Sequence, residues 1–130
     1  WNLRVVNTRH TVQNLGLRLE AGSPTKVFCY SGDGMFTPTA SKLYTNADLL
    51  VHEAYTNDGT VKNPRGETVT IGTKTHCSLQ QLERLDDMAR PKKMALIHLN
   101  RKLREDKKDI LKKYRQRRWI MPDAGEVIEL

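Results

Sequence analysis

The stretch KVFCYSGDG, residues 26–34, decides how the chain is read. It runs through apolar residues almost without a break and stops at Ser31-Gly32-Asp33-Gly34. A nearly continuous apolar run of this length marks a strand buried on both faces, as in a parallel sheet. The stop leaves one carboxylate at a strand end between two glycines. An acid in that place caps a helix, holds a turn or holds a metal.

Working outward, WNLRVVNT (1–8) and LGLRLEA (15–21) alternate in the manner of strands, and AGSPT is a turn by its Gly and Pro. Beyond Gly34, TPTASKLYTNA opens as a helix, with Thr37 as its cap and Pro38 at the first helical position. DLLVHEA (48–54) is a second buried strand. Residues 57–75 are polar and rich in Gly and Pro, and read as a long loop. SLQQLERLDDMAR is a helix capped by Ser78, with Leu79, Leu82, Leu85 and Met88 as its apolar stripe. KMALIHLN is a strand, residues 101–118 a basic helix, and GEVIEL (125–130) a closing strand. Strands followed by strand–helix alternation make a single α/β layered domain.

At 130 residues and 14.9 kDa the chain is one domain long and can bury a modest core. No apolar run approaches a membrane span, and the two cysteines stand in unrelated contexts, which fits a reducing, cytoplasmic setting. The chain starts at Trp1, so a segment upstream is expected. The formal charge of +7 has one source. Residues 101–118 carry ten Lys or Arg against three acids, and the remaining 112 residues balance. Arg101, Lys102, Arg104, Lys108 and Lys112 are the candidate phosphate contacts of a nucleic-acid-binding face, against the alternative of a solvated basic helix.

Each of the four histidines stands at or beside an element boundary: His10, His52, His76 and His98. Asp33, His52 and His98 stand at the carboxyl ends of strands, where functional groups of open α/β sheets collect. Imidazole and carboxylate together suit Zn²⁺, Mn²⁺ or Fe. Each residue singly is more often a surface or core group; the set at element boundaries points to a shared site.

SGDG (31–34), LVHEA (50–54), THCS (75–78) and ALIHLN (95–100), with RHTVQNLGLRLE (9–20), resemble in order and spacing the successive motifs of metallo-β-lactamase-fold hydrolases, in particular the ribonuclease Z branch. The resemblance runs from about residue 3 to residue 130. It implies an α/β fold corresponding to the C-terminal half of an αβ/βα sandwich, a mixed sheet with helices on one face. It implies two divalent metal ions, zinc with manganese or iron as alternatives. His10 would be a ligand of the first ion, Asp33 would bridge both, and His98 would be a ligand of the second. Glu53 and His76 would form the catalytic pair outside the metal shell, with His76 protonating the leaving oxygen and His52 supporting them.

The implied function is metal-dependent hydrolysis of phosphodiesters of the RNA type. A nucleic-acid-binding module and a non-catalytic structural half are the alternatives. The branch's H-x-H-x-D-H motif is absent, since no H-x-H occurs. A missing N-terminal half or a partner chain is therefore expected to complete the site and cover an apolar sheet face; a homo-oligomer is a further expectation. Only 22 residues separate His10 from Asp33, which leaves no room for the inserted arm that grips transfer RNA in ribonuclease Z.

Overall fold

The computed structural model of the protein describes residues 1–70 and 75–130. In chain order it has β1 (Asn2–Thr8), β2 (Asn14–Ala21), β3 (Lys26–Tyr30), α1 (Pro38–Leu43) and β4 (Leu49–Glu53). A short hairpin follows, β5 (Thr60–Lys62) and β6 (Thr68–Thr70), then α2 (Leu79–Ala89) and β7 (Met94–Ile97). The chain ends with α3 (Arg101–Glu105), α4 (Lys107–Lys113), a 3₁₀ turn (Arg115–Arg117) and β8 (Trp119–Ile120).

Six strands form one mixed sheet in the order β1-β2-β3-β4-β7-β8. The first three make an antiparallel meander; β4, β7 and β8 continue it in parallel. The parallel region explains the uninterrupted apolar runs of β4 and β7, where Leu49, Leu50, Met94, Ala95 and Leu96 are buried. On β3 only Cys29 is buried, because one side of that strand has no layer over it.

The helices form where local chemistry permits. Thr37 accepts a hydrogen bond from the Ala40 N–H and Pro38 takes the first turn of α1. Ser78 and Gln81 make a reciprocal capping box at the start of α2, whose end is set by Arg90 in a left-handed conformation (φ 50°). Leu79, Leu82 and Leu85 of α2 are fully buried and pack with Tyr44, Leu50 and Leu96 in the core. Met88 was expected to complete that stripe but is exposed. Ala89, four residues beyond Leu85, is the buried position, and helical periodicity allows either.

The other face of the sheet stays open at its antiparallel end. Register sets Leu3 against Leu19 and Val5 against Leu17 on β1 and β2, then Leu19 against Phe28 and Leu17 against Tyr30 on β3. All of these lie on one face, and Leu3, Val5 and Leu15 are 49, 59 and 45% exposed. Among the described residues the expected uncovered apolar face is therefore present at this end of the sheet.

Three local expectations change. The basic segment is not one helix over 101–118: the backbone leaves helical geometry at Asp106 (φ −89°, ψ 8°), and a 3₁₀ turn closes the run at Arg118 (φ 54°). The break lets Leu103, Ile110 and Tyr114 all reach the core, with Tyr114 stacked on Trp119 at 4.5 Å. Residues 125–130 form no strand. Trp119–Ile120 takes the place beside β7, and Pro122, lacking an N–H, stops it from extending. The loop from 57 to 75 contains the β5–β6 hairpin; its residues 71–74 lie outside the described residues.

Candidate metal centre

Asp33, Glu53, His76 and His98 converge at the carboxyl ends of β3, β4 and β7 and the entrance to α2. One donor atom from each lies within 4.8 Å of all the others. Parallel pairing brings them together. β4 pairs with β3 on one side and β7 on the other, so strand ends carrying Asp33, Glu53 and His98 finish side by side.

The turn bearing Asp33 is tied on both flanks. The Ser31 N–H donates to the Val51 carbonyl at 3.0 Å, and the Ser31 hydroxyl accepts from the Glu53 N–H at 3.1 Å. Arg9 and Met35 exchange two backbone hydrogen bonds of 2.8 and 2.9 Å, which ties the far side of the turn to the segment carrying His10. Asp33 is half exposed, and its Oδ1 lies 2.8 Å from Nδ1 of His98. His98 takes a left-handed backbone (φ 53°) directly after β7, which turns its ring back over the strand ends.

Glu53 is buried. Its Oε1 accepts the Cys77 N–H at 2.5 Å, and its Oε2 lies 3.0 Å from Nδ1 of His76 and 3.5 Å from Nδ1 of His98. Burial pushes its carboxyl up to about 8, the Cys77 N–H opposing and the Asp33 charge adding to the rise. His76 is part-buried, and burial holds its imidazole below the ordinary value. A carboxyl and an imidazole at this distance, with such shifts, are poised to share a proton.

His10 and His52 stand apart from the four. The His10 ring packs edge-on against His76 with centroids 5.2 Å apart, while its Nδ1 faces Thr11 and the Val12 N–H. His52 points into the core between Phe36 and Tyr44; its Nδ1 donates to the Glu53 carbonyl at 2.8 Å. Burial lowers its imidazole to about 4, so it is neutral near pH 7 and anchors the backbone of Glu53. Cys29 and Cys77 are buried, unpaired thiols.

Two neighbours were not foreseen. Tyr55 stacks on His76 at 4.7 Å and on His98 at 5.4 Å. Its only sequence signal is its place two residues after Glu53. Asn14 lies under the Asp33 turn, with its Oδ1 accepting the Asp33 N–H at 3.2 Å. From Tyr55 a groove of about 980 Å³ runs between the β5–β6 hairpin and α3–α4. Lys62, Arg101, Lys102 and Lys113 line it, matched by Asp58, Glu105, Asp106 and Asp109, so its charge is balanced.

The candidate phosphate contacts divide accordingly. Arg101 pairs with Glu105 at 2.7 Å and Lys102 with Asp106 at 3.0 Å. Among the described residues, exposed Arg104, Lys108 and Lys112 have no carboxylate partner in the ion pairs formed.

The donor set fits a divalent cation, since two carboxylates and two imidazoles are the hard and borderline ligands such ions take. No protein-family model matches the chain, and no curated protein matches it. Solved structures do. The chain is similar to the short form of human tRNase Z (ELAC1), at 20% identity and a TM-score of 0.61 over 78% of this chain and 38% of that one. It is similar to the metallo-β-lactamase fold protein YhfI from Bacillus subtilis, at 19% identity and a TM-score of 0.58 over 75% and 36%. It is also similar to a long form RNase Z from yeast, at 19% identity and a TM-score of 0.59 over 76% and 13%. At these identities the likeness is one of fold, and the chain spans little more than a third of the human and Bacillus proteins.

Proposed function

We infer from a chain that carries part of the metallo-β-lactamase fold, with two carboxylates and two imidazoles gathered at its strand ends, that it supplies the C-terminal half of a metal-dependent phosphodiesterase. The observation that carries this reading is the convergence of Asp33, Glu53, His76 and His98 within 4.8 Å from four separate segments. Likeness to tRNase Z and RNase Z structures supports phosphodiester chemistry on RNA-type substrates.

In this reading Asp33 and His98 hold the metal, zinc by the borderline imidazole donors, with manganese or iron alternatives. His10 joins them through Nε2, because Nδ1 is occupied locally. Two divalent ions supply Lewis acidity and a hydroxide near neutral pH. Glu53, lying against Nδ1 of His76, fixes the ring and leaves Nε2 as the atom that passes a proton to the leaving oxygen. Tyr55, stacked on both imidazoles, limits their rotation.

Asp33, His98 and His10 alone leave two ions short of ligands, so the remaining ligands come from a segment carrying H-x-H-x-D-H. The open face around Leu17, Leu19, Phe28 and Tyr30 is where that half would pack. Native mass spectrometry of the protein as purified, followed by hydrolysis of bis(p-nitrophenyl) phosphate with Zn²⁺ or Mn²⁺, tests the reading. The expected result is metal retained in the completed protein and metal-dependent cleavage. A completed protein that takes up neither ion and cleaves nothing overturns it.

A second reading, RNA contact through the basic segment, is favoured by the unpaired cations. Lys108→Ala and Lys112→Ala together are expected to reduce the salt slope of RNA binding by roughly 1 to 2, at about 0.7–0.9 per phosphate contact. An unchanged slope in filter binding makes this face merely solvated. Arg101→Ala should have less effect, because Glu105 already neutralises it.

A further inference from the structure

The carboxamide of Asn14 occupies the space beneath the Asp33 turn and joins three segments. Its Nδ2 donates to the Thr8 hydroxyl and, at 3.3 Å, to the Ser31 carbonyl; its Oδ1 accepts the Asp33 N–H at 3.2 Å. Thr8 ends β1 and Asn14 begins β2, and the two are cross-strand partners at the mouth of the loop that carries His10. One side chain therefore touches the root of the His10 loop and the turn that presents Asp33.

The two glycines flanking Asp33 follow from this contact. A Cβ at Gly32 would lie 2.6 Å from the Asn14 Oδ1 and 2.7 Å from the Leu15 carbonyl, and the backbone there is left-handed (φ 65°). A Cβ at Gly34 would lie 2.7 Å from the Asn14 Nδ2, 2.8 Å from the Arg9 carbonyl and 3.0 Å from the Thr8 hydroxyl. The turn is glycine on both sides of the acid because the carboxamide and its neighbours fill the room that side chains would need.

We propose that Asn14 is a positioning residue that sets where Asp33 stands relative to His98 and His10 before any ion arrives. Both donors and the acceptor of a carboxamide are needed. An aspartate would set a carboxylate oxygen against the Ser31 carbonyl, and an apolar residue would leave the Asp33 N–H and the Ser31 carbonyl without this partner. Partners that orient metal-holding residues typically govern about 10–100-fold in metal affinity. The inference rests on the metal-centre reading for its consequence, although not for its geometry.

The test is made on the full chain with Asn14→Ala, and with Thr8→Val, which keeps Asn14 and withdraws only the hydroxyl that accepts from it. Amide hydrogen exchange is followed without metal, and Co²⁺ uptake by the same variants in the completed protein by visible absorption. For Asn14→Ala, the Asp33 amide is expected to exchange roughly 10-fold faster or more, with the amides of Leu17, Leu19 and Leu50 unchanged. Co²⁺ affinity should fall about 10–100-fold with an altered absorption envelope. Thr8→Val should give the same pattern at roughly 3–10-fold. Unchanged Asp33 exchange, or acceleration shared equally by the strand amides in both variants, overturns the proposal. If the unaltered completed protein takes up no Co²⁺, the metal-centre reading loses its support, and exchange at Asp33 still decides the role of Asn14.

Discussion

Asp33→Ala is expected to lower phosphodiester hydrolysis by the completed protein about 10³-fold or more while leaving its folding stability within roughly 0.5 kcal/mol. The two halves of this expectation have different causes. Asp33 is half exposed, and His98, its side-chain partner among the described residues, is also well exposed, so removing the carboxylate empties no part of the core. A carboxylate that holds metal contributes several kcal/mol to stabilising charge in the transition state, and each 1.36 kcal/mol is tenfold in rate. Urea denaturation and hydrolysis of bis(p-nitrophenyl) phosphate on the same preparation separate the two. A rate within threefold of the parent would remove Asp33 from the machinery; a large loss of stability would mean that the turn is structural.

Without metal, the chain should be most stable between about pH 4.5 and 6.5 and weaken on either side. Two adjacent residues on β4 act in opposite senses. Burial lowers His52 from its ordinary 6.5 to about 4, partly opposed by its bond to the Glu53 carbonyl. As pH falls from 6.5 to 4, the unfolded chain takes up a proton that folded His52 refuses, so stability falls with pH. Burial raises Glu53 from 4.5 to about 8. As pH climbs from 4.5 to 8, the unfolded chain releases a proton that folded Glu53 keeps, so stability falls as pH rises.

Each group contributes a slope of up to about 1.4 kcal/mol per pH unit. The slopes cancel between 4.5 and 6.5, and above 6.5 only the Glu53 limb remains. Urea midpoints measured from pH 3.5 to 8.5 in a chelator trace the curve, and Glu53→Gln should flatten its alkaline side. A midpoint that climbs steadily to pH 8 would contradict the burial of an ionisable Glu53.

Much of this architecture was legible because its causes are local. The parallel strands betray themselves by unbroken apolar runs, and α2 by the Leu79, Leu82 and Leu85 spacing with a Ser78 cap. Asp33 and His98 stood out because functional groups collect at the carboxyl ends of strands, but the same argument also picked His52, which lies in the core, and Glu53 and His76 came only from the resemblance. Asn14 was silent: an asparagine at the start of a strand reads as a turn residue, and only tertiary contact shows what its amide holds. Tyr55 was silent for the same reason. The break at Asp106 was missed because periodicity registers Leu103, Ile110 and Tyr114 without the direction of the core. The two-residue β8 is too short to carry a pattern at all.

The four side chains gathered at the site come from positions 33, 53, 76 and 98, spread over half the chain. No short loop holds two of them, and their closeness exists only once β3, β4 and β7 have paired. Closing such loops costs entropy that later contacts must repay, so an ion cannot nucleate this chain in the way it nucleates a zinc finger. Topology therefore sets the expected order: the parallel sheet assembles first, and an ion held as proposed would be captured after it. Chelators should strip the site and leave the fold standing.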